Sequence, residues 1–202
     1  MRDTLAGASG GSVAAEPEPP LFEDVRPLVT RARSGDRRAM EELYLLHFDR
    51  IYNYLVVTVG NRQDAEDLAI QTFVRMIESI GRFEVQTAPF ASWLFRIARN
   101  LAIDHFRGLQ RRPPGDPMDE HDLDFREPSA EDEAMRAFAR RGMLELIKSL
   151  PREQQQVLTL KFLFSFSNAE AALIMEKSEG AVKALQHRAL ASLQRQAIPR
   201  AA

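Results

Sequence analysis

Apolar positions recur along most of this chain at three- and four-residue intervals, and the pattern predicts an all-α protein. A first helix is expected from Leu21 to Ser34, stopped by Gly35. Asp36 then caps a longer second helix, with Met40, Leu43, Tyr44, Phe48, Ile51, Tyr52 and Leu55 as its core stripe and a stop near Gly60. The third, from about Arg62 to Ile80, buries Ala65, Ala69, Ile70, Phe73, Met76, Ile77 and Ile80 by this reading. Its opposite arc carries Asp64, Asp67, Gln71, Arg75 and Glu78 around an exposed Leu68, an apolar anchor among polar neighbours that suits protein docking.

The fourth helix, Phe90 to Arg112 behind Pro89, has the most demanding pattern. At about 100° per residue, Leu94, Phe95, Ile97, Ala98, Leu101, Ala102, Phe106 and Leu109 gather on one side. Arg96, Arg99, Asn100, Asp104, Arg107 and Arg111 gather on the other. The wet face is basic and points to nucleic acid, with Trp93 and Ile103 inside the basic arc. Phe83, Phe90 and Trp93 cluster near the helix start, where aromatic rings can stack on unpaired bases; a core role suits the same rings.

The run Pro-Pro-Gly-Asp-Pro after Arg112 ends regular structure, and 113–128 reads as an acidic, Pro-containing linker between two domains, 21–112 and 129–198. Beyond it a helix is expected over Ser129 to Ser149, and Pro151 opens another. Ser167-x-x-Glu170 is a capping box for a short helix, and Ser178 caps a final one after a tight turn. Ala172, Ile174, Val182 and Leu185 can lock the crossing of these two, which makes them a helix-turn-helix. His187 and Arg188 then face outward on the last helix, with Lys183 at the margin near its start; Lys183 and His187 are placed for base edges and Arg188 for phosphate.

Composition sharpens this picture in two places. The formal net charge of −2 conceals segregation: five arginines between Arg96 and Arg112 face one carboxylate, whereas Asp116 to Glu133 holds nine carboxylates and one arginine. There are no cysteines and only four scattered histidines, which excludes a disulfide scaffold, a thiolate metal site and a cysteine nucleophile. No cofactor or metal is expected, and no Gly-rich phosphate loop or Ser/His/Asp grouping marks an enzyme. No run reaches the ~18 apolar residues of a membrane span, so a cytoplasmic protein without membrane insertion is the expectation. Residues 1–20, rich in Gly, Ala, Ser, Pro and Glu, read as a disordered extension.

Three stretches in this order resemble the bacterial RNA polymerase sigma factors of the extracytoplasmic-function group. They are Asp64-Ala-Glu-Asp-Leu with Thr72-Phe73, the run from Phe90 to Arg107, and Leu150-Pro-Arg-Glu-Gln-Gln-Gln-Val-Leu followed by Ser178 to Leu190. The resemblance implies a sigma-two domain at 21–112, which docks on core polymerase and recognises and melts the minus-ten element. It implies a sigma-four domain at 129–198, which reads the minus-thirty-five element. Asp64, Asp67, Leu68 and Gln71 would meet the clamp helices of the largest polymerase subunit, the flap region would meet the chain elsewhere, and the acidic linker would lie in the path of nascent RNA. Phe83, Trp93, Arg96, Ile97, Arg99, Asn100, Asp104, Arg107 and Arg111 would serve the opened minus-ten DNA, and Ser178, Lys183, His187 and Arg188 the upstream element. An anti-sigma factor is the further partner implied. Gln71 stands where relatives carry an acidic residue, and Ile70 where they carry glutamine. The competing reading is a stand-alone helix-turn-helix regulator whose N-terminal half is a sensor or dimerisation domain.

Overall fold

The computed structural model describes residues 25–84, 88–111, 142 and 145–197. The N-terminal extension, the linker and most of the helix expected over 129–149 lie outside the described residues. Within them the chain is helical throughout, with no strand.

Local signals set the helix ends. Helix α1 covers Arg26–Arg33, and Gly35 follows it at φ 88°. In α2, Arg37–Val59, the Asp36 carboxylate accepts from the N–H groups of Arg38 and Ala39 at 3.0 and 3.3 Å. That satisfies two of the first-turn donors. Gly60 ends the helix at φ 77°, a left-handed conformation in which a Cβ would be strained. Asn61 caps α3, Arg62–Ser79, and a single 3-10 turn, Ile80–Arg82, closes it. Pro89 sits just before α4, Phe90–Gln110, where its missing N–H is no loss.

In the second half, Pro151 precedes α5, Arg152–Leu158. This helix widens into a π turn, Thr159–Leu163, closed by the Phe164 N–H donating to the Thr159 carbonyl at 3.2 Å. Helix α6, Asn168–Met175, opens on the expected capping box: the Ser167 hydroxyl accepts from the Glu170 N–H at 3.1 Å, and the Glu170 carboxylate accepts from the Ser167 N–H at 2.8 Å. Glu176 turns the chain at φ 55°, and the Ser178 hydroxyl accepts from the Ala181 N–H at 3.2 Å to start α7, Glu179–Ala197. The expected crossing residues Ala172, Ile174, Val182 and Leu185 are all buried. Leu190, expected inward, is half-exposed because α7 outruns the short helices that pack on it.

Helix α2 packs on α1, α3 and α4, and α5 and α6 pack on α7. The two halves are joined by α4, which packs on α3 along one side and on α6 along the other. Its residues Phe90 to Phe95 are consequently buried on every face.

One buried group carries a pH cost. His47 is 6% exposed, its ring lies against Phe90 at 5.3 Å, and among the described residues neither ring nitrogen finds a hydrogen-bond partner. Desolvation, with a smaller contribution from the nearby Arg50 cation, lowers its pKa from 6.5 to about 4. The unfolded chain therefore binds the proton first as pH falls. The stability owed to neutral His47 is complete above pH 6.5 and is lost as pH drops through about 4. At about 1.36 kcal/mol per pKa unit the full effect is on the order of 3 kcal/mol. In urea titrations, His47→Leu should flatten the fall in stability between pH 6.5 and 4 relative to wild type. An unchanged slope would show that another group causes the acid loss.

Candidate nucleic-acid interface

The basic face of α4 is divided by the second domain. Toward its C-terminal end, Asn100, Asp104, Arg107 and Arg111 are exposed, and Arg107 pairs with Asp104 at 3.2 Å. These groups can meet a phosphate backbone or a base with little rearrangement. Toward the start, Arg96 is partly buried and lines an open groove with Ala169, Ala172 and Leu173 of α6, and only 12% of the Arg99 side chain is accessible. Arg99 Nε donates to Gln156 Oε1 at 3.1 Å, and its Nη1 lies 3.7 Å from the Glu176 carboxylate. The wheel of α4 shows all these arginines in one arc. It does not show that a second domain covers half of that arc.

The structure places Phe83 and Trp93 in the core, the second of the two roles open to them. Both are buried, at 6% and 9% exposure; their rings lie tilted to each other at 4.7 Å between centres, and the Phe90 ring is edge-on to Phe83 at 5.8 Å and tilted to Trp93 at 5.6 Å. Their rings pack into the core at the start of α4. Ile103, an apolar residue within the basic arc, lines a cavity of about 480 Å³ between the domains, whose wall also includes Val59, Phe106 and Ile147. The Arg152 guanidinium caps the Phe106 ring at 3.7 Å.

The docking anchor on α3 is corrected. Leu68 is 5% exposed and belongs to the core stripe, while Ile70, Val74 and Ile77 are 51%, 48% and 53% exposed. The buried set is Ala65, Leu68, Ala69, Thr72, Phe73 and Met76, and its angular centre runs between Ala65 and Met76, with Leu68 and Thr72 to one side. Thr72 tolerates the core because its hydroxyl donates to the Leu68 carbonyl at 2.7 Å. Counting only aliphatic residues draws the stripe toward Ile70 and Ile77. Accepting Thr72 as a core residue places it correctly. Asp67 and Gln71 are exposed as expected; Asp64 is partly covered, with its carboxylate 3.5 Å from His105 of α4.

On the helix-turn-helix, Lys183, His187 and Arg188 are exposed on one side of α7. Ser178 is exposed, but its hydroxyl is occupied by the cap on Ala181. Sequence reasoning missed the residues between the domains: Arg50, Tyr54, Gln156, Phe164 and Phe166. Gln156 Nε2 donates to the Tyr54 hydroxyl at 3.1 Å, and Arg50 donates to the Phe164 carbonyl at 3.2 Å. Burial raises the Tyr54 pKa and lowers that of Arg50, in both cases chiefly by desolvation. Among the described residues no cluster of side chains could hold a metal ion.

A helical domain with a basic, partly exposed helix, followed by a helix-turn-helix with an outward cationic row, defines a two-domain DNA-binding protein. Residues 43–112 match Sigma-70 region 2, and residues 140–193 match Sigma-70 region 4. The chain belongs to the extracytoplasmic-function sigma factors. It is 39% identical over 171 residues to the sigma factor BldN of Streptomyces coelicolor, covering 83% of this chain and 64% of that protein. It is 30% identical to the RNA polymerase sigma-H factor of Pseudomonas aeruginosa, covering 83% of this chain and 90% of that one. To SigW of Bacillus subtilis the identity is 27%, with 85% and 96% covered.

Among solved structures, CnrH in complex with the cytosolic domain of CnrY aligns with a TM-score of 0.63 at 26% identity, over 85% of this chain and 95% of that one. RpoE of Bartonella quintana, solved with the anti-sigma factor NepR, shares the fold at a TM-score of 0.58 and 20% identity, over 79% of this chain and 98% of that one. The region 2 match disfavours the reading of the first half as a sensor or dimerisation domain.

The burial pattern on α3 can be tested directly. Leu68→Ala should lower unfolding free energy by ~2 to 5 kcal/mol, and Ile70→Ala should change it by no more than ~0.5 kcal/mol. Urea titration of both variants reads the difference, and equal losses would contradict the assignment of the stripe.

Proposed function

We propose that this chain is a promoter-specificity subunit of bacterial RNA polymerase, acting in the cytoplasm with no chemical reaction of its own. The observation that carries the reading is the presence, on one chain and in family order, of a region 2 match spanning basic α4 and a region 4 match spanning the helix-turn-helix. The first domain, 21–112, would dock on the clamp helices of the largest polymerase subunit and open the minus-ten element. The second, 129–198, would read the minus-thirty-five element beside the flap region, and 113–128 would connect them.

Chemistry supports particular roles within that division. Arg107 and Arg111 are exposed cations suited to phosphate, with Asn100 and Asp104 beside them able to hydrogen-bond to unpaired bases. Arg96 and Arg99 would join them once uncovered. Phe83 and Trp93 would act indirectly, as the rigid floor that sets the position of the loop before α4. For docking, Asp67 and Gln71, with Asp64 at the edge, flank the exposed stripe of Ile70, Val74 and Ile77, and this combination takes the place assigned to Leu68. The apolar stripe also gives a reason for Ile70 where relatives carry glutamine: it extends the docking surface by dispersion rather than by a hydrogen bond. Ser178, through its cap, would fix the entry angle of α7 so that Lys183 and His187 reach base edges. RpoE of Bartonella quintana is solved with an anti-sigma factor and CnrH with the cytosolic domain of CnrY, and an anti-sigma partner is proposed here too.

The deciding experiment is in vitro transcription by core polymerase with this protein, followed by sequencing of the transcripts. Discrete start sites that share upstream elements are expected; starts no different from core polymerase alone would overturn the reading. Lys183→Ala with His187→Ala should weaken binding to the upstream element by ~1 to 3 kcal/mol for each base-edge hydrogen bond removed. Equal weakening on scrambled DNA would mean that both residues touch phosphate only. Ile70→Arg should reduce retention of core polymerase in pull-downs at unchanged thermal stability, and unchanged retention would count against the α3 patch.

A further inference from the structure

Beyond the end of α2 the packing of the two domains leaves the cavity of about 480 Å³ that Ile103 lines. Gly60 turns the chain away at φ 77°, so no further turn of α2 fills the space between α4 and α5. Gln155 holds the opposite wall by donating to the carbonyls of Lys148 and Leu150 at 2.9 and 2.7 Å, which keeps Ile147 and Lys148 beside the cavity. Its deeper wall is apolar. Val59, Ala102 and Ile147 are buried there, with Ile103 and the Phe106 ring half-buried beside them.

The polar wall is lopsided in charge. Arg99, Arg107, Lys148 and Arg152 line it against a single carboxylate, Glu153, and that carboxylate is paired with Lys177 at 2.8 Å. Arg99 is held by Gln156 and Glu176, whereas Arg107 and Lys148 carry only exposed pairs with Asp104 and Glu145, which contribute little. Arg152 has no carboxylate partner among the described residues. Its guanidinium is laid on the Phe106 ring at 3.7 Å, which fixes a cation at the edge of the apolar wall.

We propose that this cavity is a binding site for one small amphipathic anion, a molecule with an aliphatic tail and a single carboxylate head. The tail seats on Val59, Ile103 and Ile147, and the head is met by Arg152, with Lys148 and Arg107 on the same wall. Small-ligand sites run from about 300 to 1,000 Å³ and are mostly apolar with a few placed polar groups, which is the construction here. The charge selects the head. A cationic ligand would meet four like charges, and a neutral one would forgo the charge-assisted hydrogen bonds that a guanidinium gives a carboxylate. A space of this size takes one dissolved molecule and not the surface of a bilayer.

Isothermal titration calorimetry of the full-length protein with hexanoate, octanoate and decanoate, each below its micelle-forming concentration, tests the site. Neither DNA nor polymerase is present, so the outcome is independent of the sigma reading. One molecule per chain is expected, with affinity rising about fourfold for each added methylene. Decyltrimethylammonium, with the decanoate tail length and the opposite charge, should bind at least about tenfold more weakly than decanoate. Ile103→Trp, which fills the tail space, and Arg152→Glu, which reverses the head partner, should each weaken decanoate binding by about tenfold or more, with far-UV circular dichroism confirming their helical content. No saturable binding of any of the three acids, or affinity that ignores tail length, would overturn the site. Equal binding of the cationic amphiphile would overturn the assignment of an anion, and unchanged decanoate affinity in both folded variants would show that the ligand sits elsewhere. If neither variant folds, the tail-length and charge series on the wild-type protein still decides the matter.

Discussion

Helix α4 must satisfy two neighbours at once, and the rest of the structure follows from that constraint. One side of its first turns closes the core of the first domain through Phe90, Trp93 and Leu94, while Phe95 on another side accepts the aromatic residues of the second domain. A helix enclosed in this way cannot roll or slide without opening one core or the other. Its far half, from Asn100 onward, is freed from that burial and can direct its side chains to solvent or to a ligand. The position of every basic residue relative to DNA is therefore set by where along α4 the second domain stops covering it.

The division explains why one arc of arginines contains two kinds of residue. Arg107 and Arg111 are open cations. Arg99 is held by a neutral amide and a carboxylate, in surroundings that make its release a domain-scale event. The same physics acts on Arg50, whose desolvated guanidinium is tolerated because a carbonyl and two ring faces surround it. Cationic side chains that reach an aromatic-lined seam serve as fasteners there, and the same chemistry at a free surface serves phosphate.

Local signals are legible wherever the physics is local. Asp36, Gly60, Ser167 with Glu170, and Ser178 mark helix ends by hydrogen bonds or by backbone freedom within a few residues, and all of these ends fall where such chemistry requires. The helix-turn-helix is readable for the same reason, since its crossing residues are neighbours in sequence. The error on α3 is of a different kind. Leu68, Ile70, Thr72 and Ile77 compete for one stripe, and hydrophobicity alone ranks Ile70 and Ile77 above Thr72. Packing reverses the ranking because a threonine can bond its own backbone and occupy little space, while Phe73 packs on Tyr44 and Phe48 of α2.

What the sequence determined by itself is the set of helices, their caps, the basic character of α4, the cationic row on α7 and the family to which these belong, because each depends on spacing along one helix or on a short motif. Only the tertiary structure decided which of those residues are available. Phe83 and Trp93 are buried, Leu68 is drawn into the core, Ile103 lines a cavity, and Arg99 is engaged by α5 and by Glu176 beyond it. All of these outcomes depend on packing between residues far apart in sequence, such as Tyr54 with Gln156 and Phe95 with Phe166. A helical wheel records angle about one axis. Burial depends on which other axes approach it, and that is settled only when the two domains close on α4.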